Sequence, residues 1–173
     1  LSLGSRFDDS NLYEGDTTYS AKVGYNFNDN TNMYVSYGTF FNLPDTYALF
    51  SKEHGNSGLN PEQGKNIELG FNHKFDDTSV LSAHVFKRDT DEKIQTTWYQ
   101  DASGNWLSTY ENADSTEKAK GFDIQYKKYF SEKWDMNFAY TYTKKEVSGN
   151  INDSGYIHKH IIDLGVNYKL NKL

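Results

Sequence analysis

Apolar and polar residues take turns along most of this chain, and a period of two marks a strand whose two faces meet different surroundings. From Asn32 to Phe41 one parity carries Met33, Val35, Tyr37, Thr39 and Phe41, and the other includes Asn32, Ser36 and Gly38. From Asn66 to Phe75, the residues Ile67, Leu69, Phe71, His73 and Phe75 alternate with Asn66, Glu68, Gly70, Asn72 and Lys74. The pattern returns in Tyr19, Ala21, Val23, Tyr25 and Phe27, in Phe122, Ile124 and Tyr126, and in Trp134, Met136, Phe138, Tyr140 and Tyr142. It returns once more in Ile162, Leu164, Val166, Tyr168 and Leu170. The chain is therefore all-β. Alternation alone leaves two architectures open, a soluble sandwich with its polar face in water and a membrane wall with its apolar face in lipid.

The connections separate the two. Phe27-Asn28-Asp29-Asn30-Thr31, Phe75-Asp76-Asp77-Thr78 and Phe130-Ser131-Glu132-Lys133 read as tight Asn, Asp and Ser turns. Longer connections at 8–17, 42–63 and 146–156 take turns with them, and a shorter one lies near Asp101–Asn105. Short turns at one end and long loops at the other describe an outer-membrane barrel wall. Phe27, Phe75, Tyr129 and Phe130, beside the short turns, then form an interfacial girdle. In this reading Tyr19, Val23, Tyr25, Val35, Leu69, Phe71, Met136, Phe138, Leu164 and Val166 face lipid.

Composition agrees. A mean hydropathy of −0.84 excludes transmembrane helices, since no run nears the roughly 20 apolar residues a helix needs. A barrel escapes that test because only alternate residues meet lipid. A net charge of −6 supplies no basic patch for nucleic acid, and the lack of cysteine fits passage through an oxidising periplasm as well as a small cytosolic domain.

About eight strands are expected. Residues 79–100 and 105–130 would form one long hairpin projecting past the lipid. Leu81, Ala83 and Val85 sit on one parity but Ile94 and Trp98 on the other, so a bulge is expected near Arg88–Glu92.

The ordered motifs resemble the β-barrel of TonB-dependent outer-membrane receptors. Phe41-Asn42-Leu43-Pro44 resembles that family's Phe-x-x-Pro element, followed by Leu49-Phe50 and by Asn56-Ser57-Gly58-Leu59-Asn60-Pro61-Glu62. Glu68-Leu69-Gly70, Tyr110-Glu111-Asn112-Ala113, Lys120-Gly121-Phe122-Asp123 and the earlier Leu3-Gly4-Ser5-Arg6-Phe7-Asp8 fall in the family's order. The resemblance implies that residues 1–173 are part of a barrel domain of about 22 strands, incomplete at both ends. Leu1 starts inside a strand and Asn171-Lys172-Leu173 stops where a short turn is expected, so the plug and last strands are expected elsewhere. It also implies location in the bacterial outer membrane and TonB-energised uptake of a scarce large solute, such as a ferric siderophore, cobalamin or haem. The implied partners are outer-membrane lipid, the solute as a metal chelate, and TonB acting through the plug. A non-transporting surface barrel, or an aromatic-rich binding or adhesion module, is the alternative.

No enzyme, cofactor or metal is expected. Asp89, Asp91 and Glu92, like Asp8 and Asp9, read as solvated carboxylates, and no Ser-His-acid, phosphate-cradle or zinc spacing is present. His158 and His160 share a strand face at a spacing that could pinch a metal, yet suit an interface equally. Gly55, Gly58, Gly64, Pro44 and Pro61 shape the loop, and Glu62 and Glu68 read as inward charges. The ligand candidates are Tyr47, Phe50, His54, Asn56, Trp98, Tyr99 and Trp106, chiefly aromatics that give contact area at low entropy cost. Haem-uptake members of the family place a haem-ligating His between a Phe-Arg-Ala-Pro and an Asn-Pro-Asn-Leu box. His54 lies near the second position, but both boxes depart from the pattern, reading Phe-Asn-Leu-Pro and Asn-Ser-Gly-Leu. Trp98 and Trp106 also fit a plain cross-strand pair.

Overall fold

The computed structural model describes residues 1–147 and 157–170; most of the expected connection at 146–156 and the end at 171–173 lie outside them. In chain order come β1 (Ser2–Asp8), β2 (Asp16–Asn28), β3 (Thr31–Asn42), a short α1 (Thr46–Phe50), β4 (Glu62–Asp76) and β5 (Ser79–Asp91). There follow β6 (Ile94–Gln100), β7 (Trp106–Asn112), β8 (Glu117–Tyr129), β9 (Trp134–Val147) and β10 (His160–Tyr168). Eight strands form one sheet in the order β1-β2-β3-β4-β5-β8-β9-β10, all neighbours antiparallel, while β6 and β7 make a separate sheet of two.

Polar side chains close the short turns. Asn28 Oδ1 accepts from Asn30 N at 2.9 Å, and Ser131 Oγ accepts from Trp134 N at 3.3 Å. Asp76 Oδ1 accepts from Thr78 Oγ1 at 2.7 Å, Thr78 N at 2.8 Å and Ser79 Oγ at 2.8 Å. These bonds, that from the Thr78 hydroxyl foremost, hold the Asp76 carboxyl well below the usual carboxylate range.

Register sorts the faces. Val23, Val35, Leu69, Val85, Phe122 and Tyr142 stand opposite one another along one rung. Tyr25, Met33, Phe71, Ala83, Ile124, Tyr140 and Ile162 form the next, and Phe138–Leu164 and Met136–Val166 extend the same face. Every residue expected to face lipid lies there. The stripe does not follow the rungs, however. Toward the long connections it ends at Tyr19 in β2, a rung lower at the paired Tyr37 and Ile67, another lower at Val85, Phe122 and Tyr142, and lowest at Ile162. A level band that crosses rungs is what strands tilted by about 35–45° to a barrel axis produce.

The other face is polar and internally bonded. Tyr34 Oη donates to Glu68 Oε1 at 2.6 Å, with Lys22 Nζ 3.5 Å above the Tyr34 ring. Thr141 Oγ1 donates to Asp123 Oδ2 at 2.6 Å. Three of the aromatics on this face stand where glycine lies across. Gly70 is the register partner of Tyr34, and a Cβ there would come within 2.2 Å of the ring; Phe40 over Gly64 and Phe86 over Gly121 repeat the arrangement.

Two expectations are corrected. The β5–β8 ladder runs unbroken from Ser79 to Thr90, so no bulge interrupts it. The parity change falls instead at Glu92, whose φ of 55° turns the chain out of the sheet, and the long hairpin divides into two sheets there. Asn112 Nδ2, donating to Glu92 O at 2.7 Å, holds that corner. Tyr129 leaves the girdle, because its ring lies under Lys127 on the polar face at 4.8 Å. Trp134 and Tyr168, with ring centroids 4.5 Å apart, take that place on the apolar face.

The core is not in the sheet. Among the described residues the buried apolar side chains Ala48, Leu49, Leu59 and Ala113, with Pro44, all lie in connections. The chain exposes 12427 Å². A compact soluble chain of 19.9 kDa exposes about 8700 Å². Leu164 and Val166 are 68% and 60% exposed, so the apolar face has no protein cover of its own.

Candidate functional loop assembly

At the long-connection end, two segments far apart in sequence lock together. Pro44 keeps the chain out of the ladder and Asp45 caps α1, its Oδ1 accepting from Ala48 N at 2.7 Å. After α1 the chain folds back, with Asn56 N donating to Ala48 O at 2.8 Å and Gly58 N to Asn56 Oδ1 at 2.9 Å. This compaction places Ala48, Leu49 and Leu59 in one cluster, against which Tyr13, Ile94 and Tyr110 pack. The long connection at 42–63 thus contains a helix and a small core.

The β6–β7 hairpin docks on it through the free edge of β7. Tyr110 N donates to His54 O at 3.2 Å, and Asn56 Nδ2 donates to Tyr110 O at 2.8 Å. His54 Nδ1 lies 3.1 Å from Ser108 O and 2.9 Å from Ser108 Oγ. A carbonyl only accepts, so the tautomer protonated at Nδ1 satisfies it and leaves Nε2 outward, 3.7 Å from Glu53. Asn60 N donates to Asn112 Oδ1 at 2.7 Å and Asn112 Nδ2 returns a bond to Asn60 O at 2.9 Å. Below the joint, Ile94 N donates to Glu62 Oε1 at 3.0 Å, tying the hairpin to β4. Tyr13, from the β1–β2 connection, donates its hydroxyl to Leu59 O at 2.9 Å. Three connections therefore make one body.

The sequence candidates divide accordingly. His54 and Asn56 are fasteners between loop and hairpin. Tyr47, Phe50, Trp98, Tyr99 and Trp106 present open rings, Trp106 being 65% exposed. Trp98 pairs with Ser108 and Gln100 with Trp106, so the two tryptophans lie diagonally on one face rather than directly opposite. That face also carries Ser108 and Tyr110, which meet the loop. At the hairpin tip, Asp101 accepts from Asn105 Nδ2 at 3.0 Å, Asn105 N at 2.8 Å and Ser103 N at 2.8 Å, which holds its carboxyl below the usual range. A cleft of about 440 Å³ opens beside Tyr13, lined by Arg6, Asp8, Glu14 and Phe41 among others. Sequence reading missed Ser108, Asn112 and Leu59 as parts of the assembly.

Of His158 and His160, the second is engaged within the sheet. His160 Nδ1 lies 2.9 Å from Tyr140 Oη, its ring stacked on the tyrosine. Among the described residues no group of three or more His, Asp or Glu side chains could hold a metal.

Residues 1–172 match the family model described as TonB dependent receptor-like, beta-barrel. The vitamin B12 transporter BtuB of Vibrio cholerae serotype O1 is 35% identical over 71 residues, 41% of this chain and 12% of that protein. The chain thus spans a small part of that relative's length. The siderophore receptor PirA of Pseudomonas aeruginosa superposes with a TM-score of 0.70 at 19% identity, over 83% of this chain and 30% of that one. The ferripyoverdine receptor of the same organism does so at 0.67 and 20%, over 92% and 21%. Such relatives are receptors and transporters, not enzymes. The antiparallel sheet, its paired faces and the family match lead to one conclusion: this chain belongs to the TonB-dependent receptor β-barrel family.

Proposed function

We propose that this segment is a stretch of outer-membrane barrel wall carrying a solute-capture surface of a TonB-energised transporter. The apolar face meets lipid, the polar face meets the lumen and plug, and the short turns are periplasmic. The loop assembly then stands outside the cell. The solute is a bulky metal chelate of the siderophore or cobalamin kind, a class supported by the names of the relatives.

The observation that carries this reading is the loop assembly itself. Tyr47, Phe50, Trp98, Tyr99 and Trp106 stand exposed on a body locked by its own core and cross-loop bonds. Exposed aromatics held rigid lose little entropy on capture and keep polar tips in water. His54 contributes by fastening the loop to β7.

Deleting residues 46–58 in the full-length receptor tests this. Ligand affinity on outer-membrane preparations is expected to fall while heat-modifiability shows an assembled barrel. Unchanged affinity with an assembled barrel would remove the loop from the capture surface. His54→Ala is expected to weaken binding only modestly, through looser docking; abolished binding with the hairpin still docked would make His54 a direct ligand.

A further inference from the structure

On the apolar face, the residue next above the stripe is lysine on four neighbouring strands. Lys65 follows Ile67 on β4, Lys87 follows Val85 on β5, Lys120 follows Phe122 on β8 and Lys144 follows Tyr142 on β9. Lys87, Lys120 and Lys144 are direct register partners across three strands. Like charges placed opposite one another disfavour the ladder, so the row calls for counter-charge. Part is supplied on the rung above Lys87, Lys120 and Lys144, a rung that Lys65 itself shares. Asp89 lies 4.0 Å from Lys65 and 3.4 Å from Lys87, and Glu146 lies 3.2 Å from Lys120 and 2.6 Å from Lys144. Lys118 stands between the two acids in the register. The patch stays net positive in a chain whose overall charge is −6. All four lysine side chains of the row are at least half exposed, Lys144 the least at 51%. The same position holds Thr39 on β3 and His160 on β10, so the row is confined to these strands.

We infer that this row binds the phosphates of an anionic lipid headgroup in the leaflet at the loop end of the sheet. The inference rests on the reading that the apolar face meets lipid. The lysines begin where the apolar stripe ends, the level at which acyl chains give way to headgroups. Lysine stems can lie along the last apolar rung while their ammonium groups reach the polar layer. Strands about 4.8 Å apart make the four-strand row about 14 Å long, enough for a headgroup with more than one phosphate. The exposed ion pairs with Glu146 contribute little by themselves and leave the lysines free to exchange partners.

The test uses the full-length receptor in detergent and fluorescent diphosphorylated lipid A as the probe. The triple variant Lys87→Gln, Lys120→Gln, Lys144→Gln is expected to bind about 10- to 100-fold more weakly. The dephosphorylated lipid is expected to bind wild type and variant alike. Asp89→Asn with Glu146→Gln is expected to bind more tightly, which a purely structural ion-pair network would not produce. Inorganic phosphate competing as well as the lipid would overturn the lipid assignment. So would unchanged lipid affinity in the folded triple variant; should that variant not assemble, Lys87→Gln alone is read in the same way. A nitroxide at Leu69 distinguishes failure of the lipid-facing wall from failure of the lysine row. An aqueous signal there defeats the facing itself, whereas a lipid signal with unchanged affinity defeats only the row.

Discussion

The sheet and the loop assembly solve opposite solvent problems with the same chain. The loop assembly is built like a small soluble protein, its apolar residues inward, with Leu59 only 2% exposed. The sheet is turned out, with Val23, Leu164 and Val166 each more than half exposed and polar groups bonded on the other face. Burying apolar area is worth roughly 25 cal/mol per Å², so a sheet in water would not keep such a face bare. On the proposed reading, the contrast teaches that hydrophobicity is placed by destination: inward where water surrounds the chain, outward where lipid does.

The loop core is where that contrast should break most sharply. Leu59→Ala removes the most buried side chain of the loop cluster and is expected to cost about 2–5 kcal/mol of docking. Hydrogen exchange of Tyr110 and Asn56 amides would rise sharply while the sheet stays protected. Equal loss of protection in β4 would mean that the two regions are not separable.

On the sheet the costly face is the opposite one. Leu69→Arg, in the middle of the stripe, is expected to cost about 2–4 kcal/mol in a folding titration of the full-length barrel in lipid, and Ser36→Arg on the polar face much less. Equal costs would put the apolar face in a protein interior rather than in lipid.

The smallest effect lies in the turns at both ends. Asp76 and Asp101 both have depressed native pKa values, caused first by the Thr78 hydroxyl and by the Asn105 side chain. A depressed carboxylate stabilises the fold fully above its ordinary value of 3.8. That contribution drains away as the pH falls from there through the lower native value. Amide protection at Thr78 and Asn105 is therefore expected to be steady from neutral pH to about pH 4 and to decline below it. Asp76→Asn and Asp101→Asn should each flatten the decline at their own turn only.

Much of the sheet could be read from sequence because strand parity is local. The residues expected to face lipid share one face, and the Asn, Asp and Ser turns fall where expected. What escaped depended on distant partners. Tyr34, Phe40 and Phe86 sit on the polar parity because glycine lies across from each, a fact visible only once strands are paired. The parity conflict between Val85 and Ile94 did signal a break, but local pattern cannot distinguish a bulge from the turn that Glu92 makes out of the sheet. The loop assembly was least readable. Its helix is too short for a helical period to register, and its joint sets His54 against Ser108 and Asn60 against Asn112.

A nitroxide scan along β4 from Asn66 to Asn72 in the full-length receptor, reconstituted in lipid, addresses the central claim most directly. Oxygen accessibility is expected to exceed that of a polar nickel chelate at Ile67, Leu69 and Phe71, and the reverse at Asn66, Glu68, Gly70 and Asn72, giving a clean period of two. A flat profile, or the same period with its phase inverted, would contradict a wall between lipid and lumen.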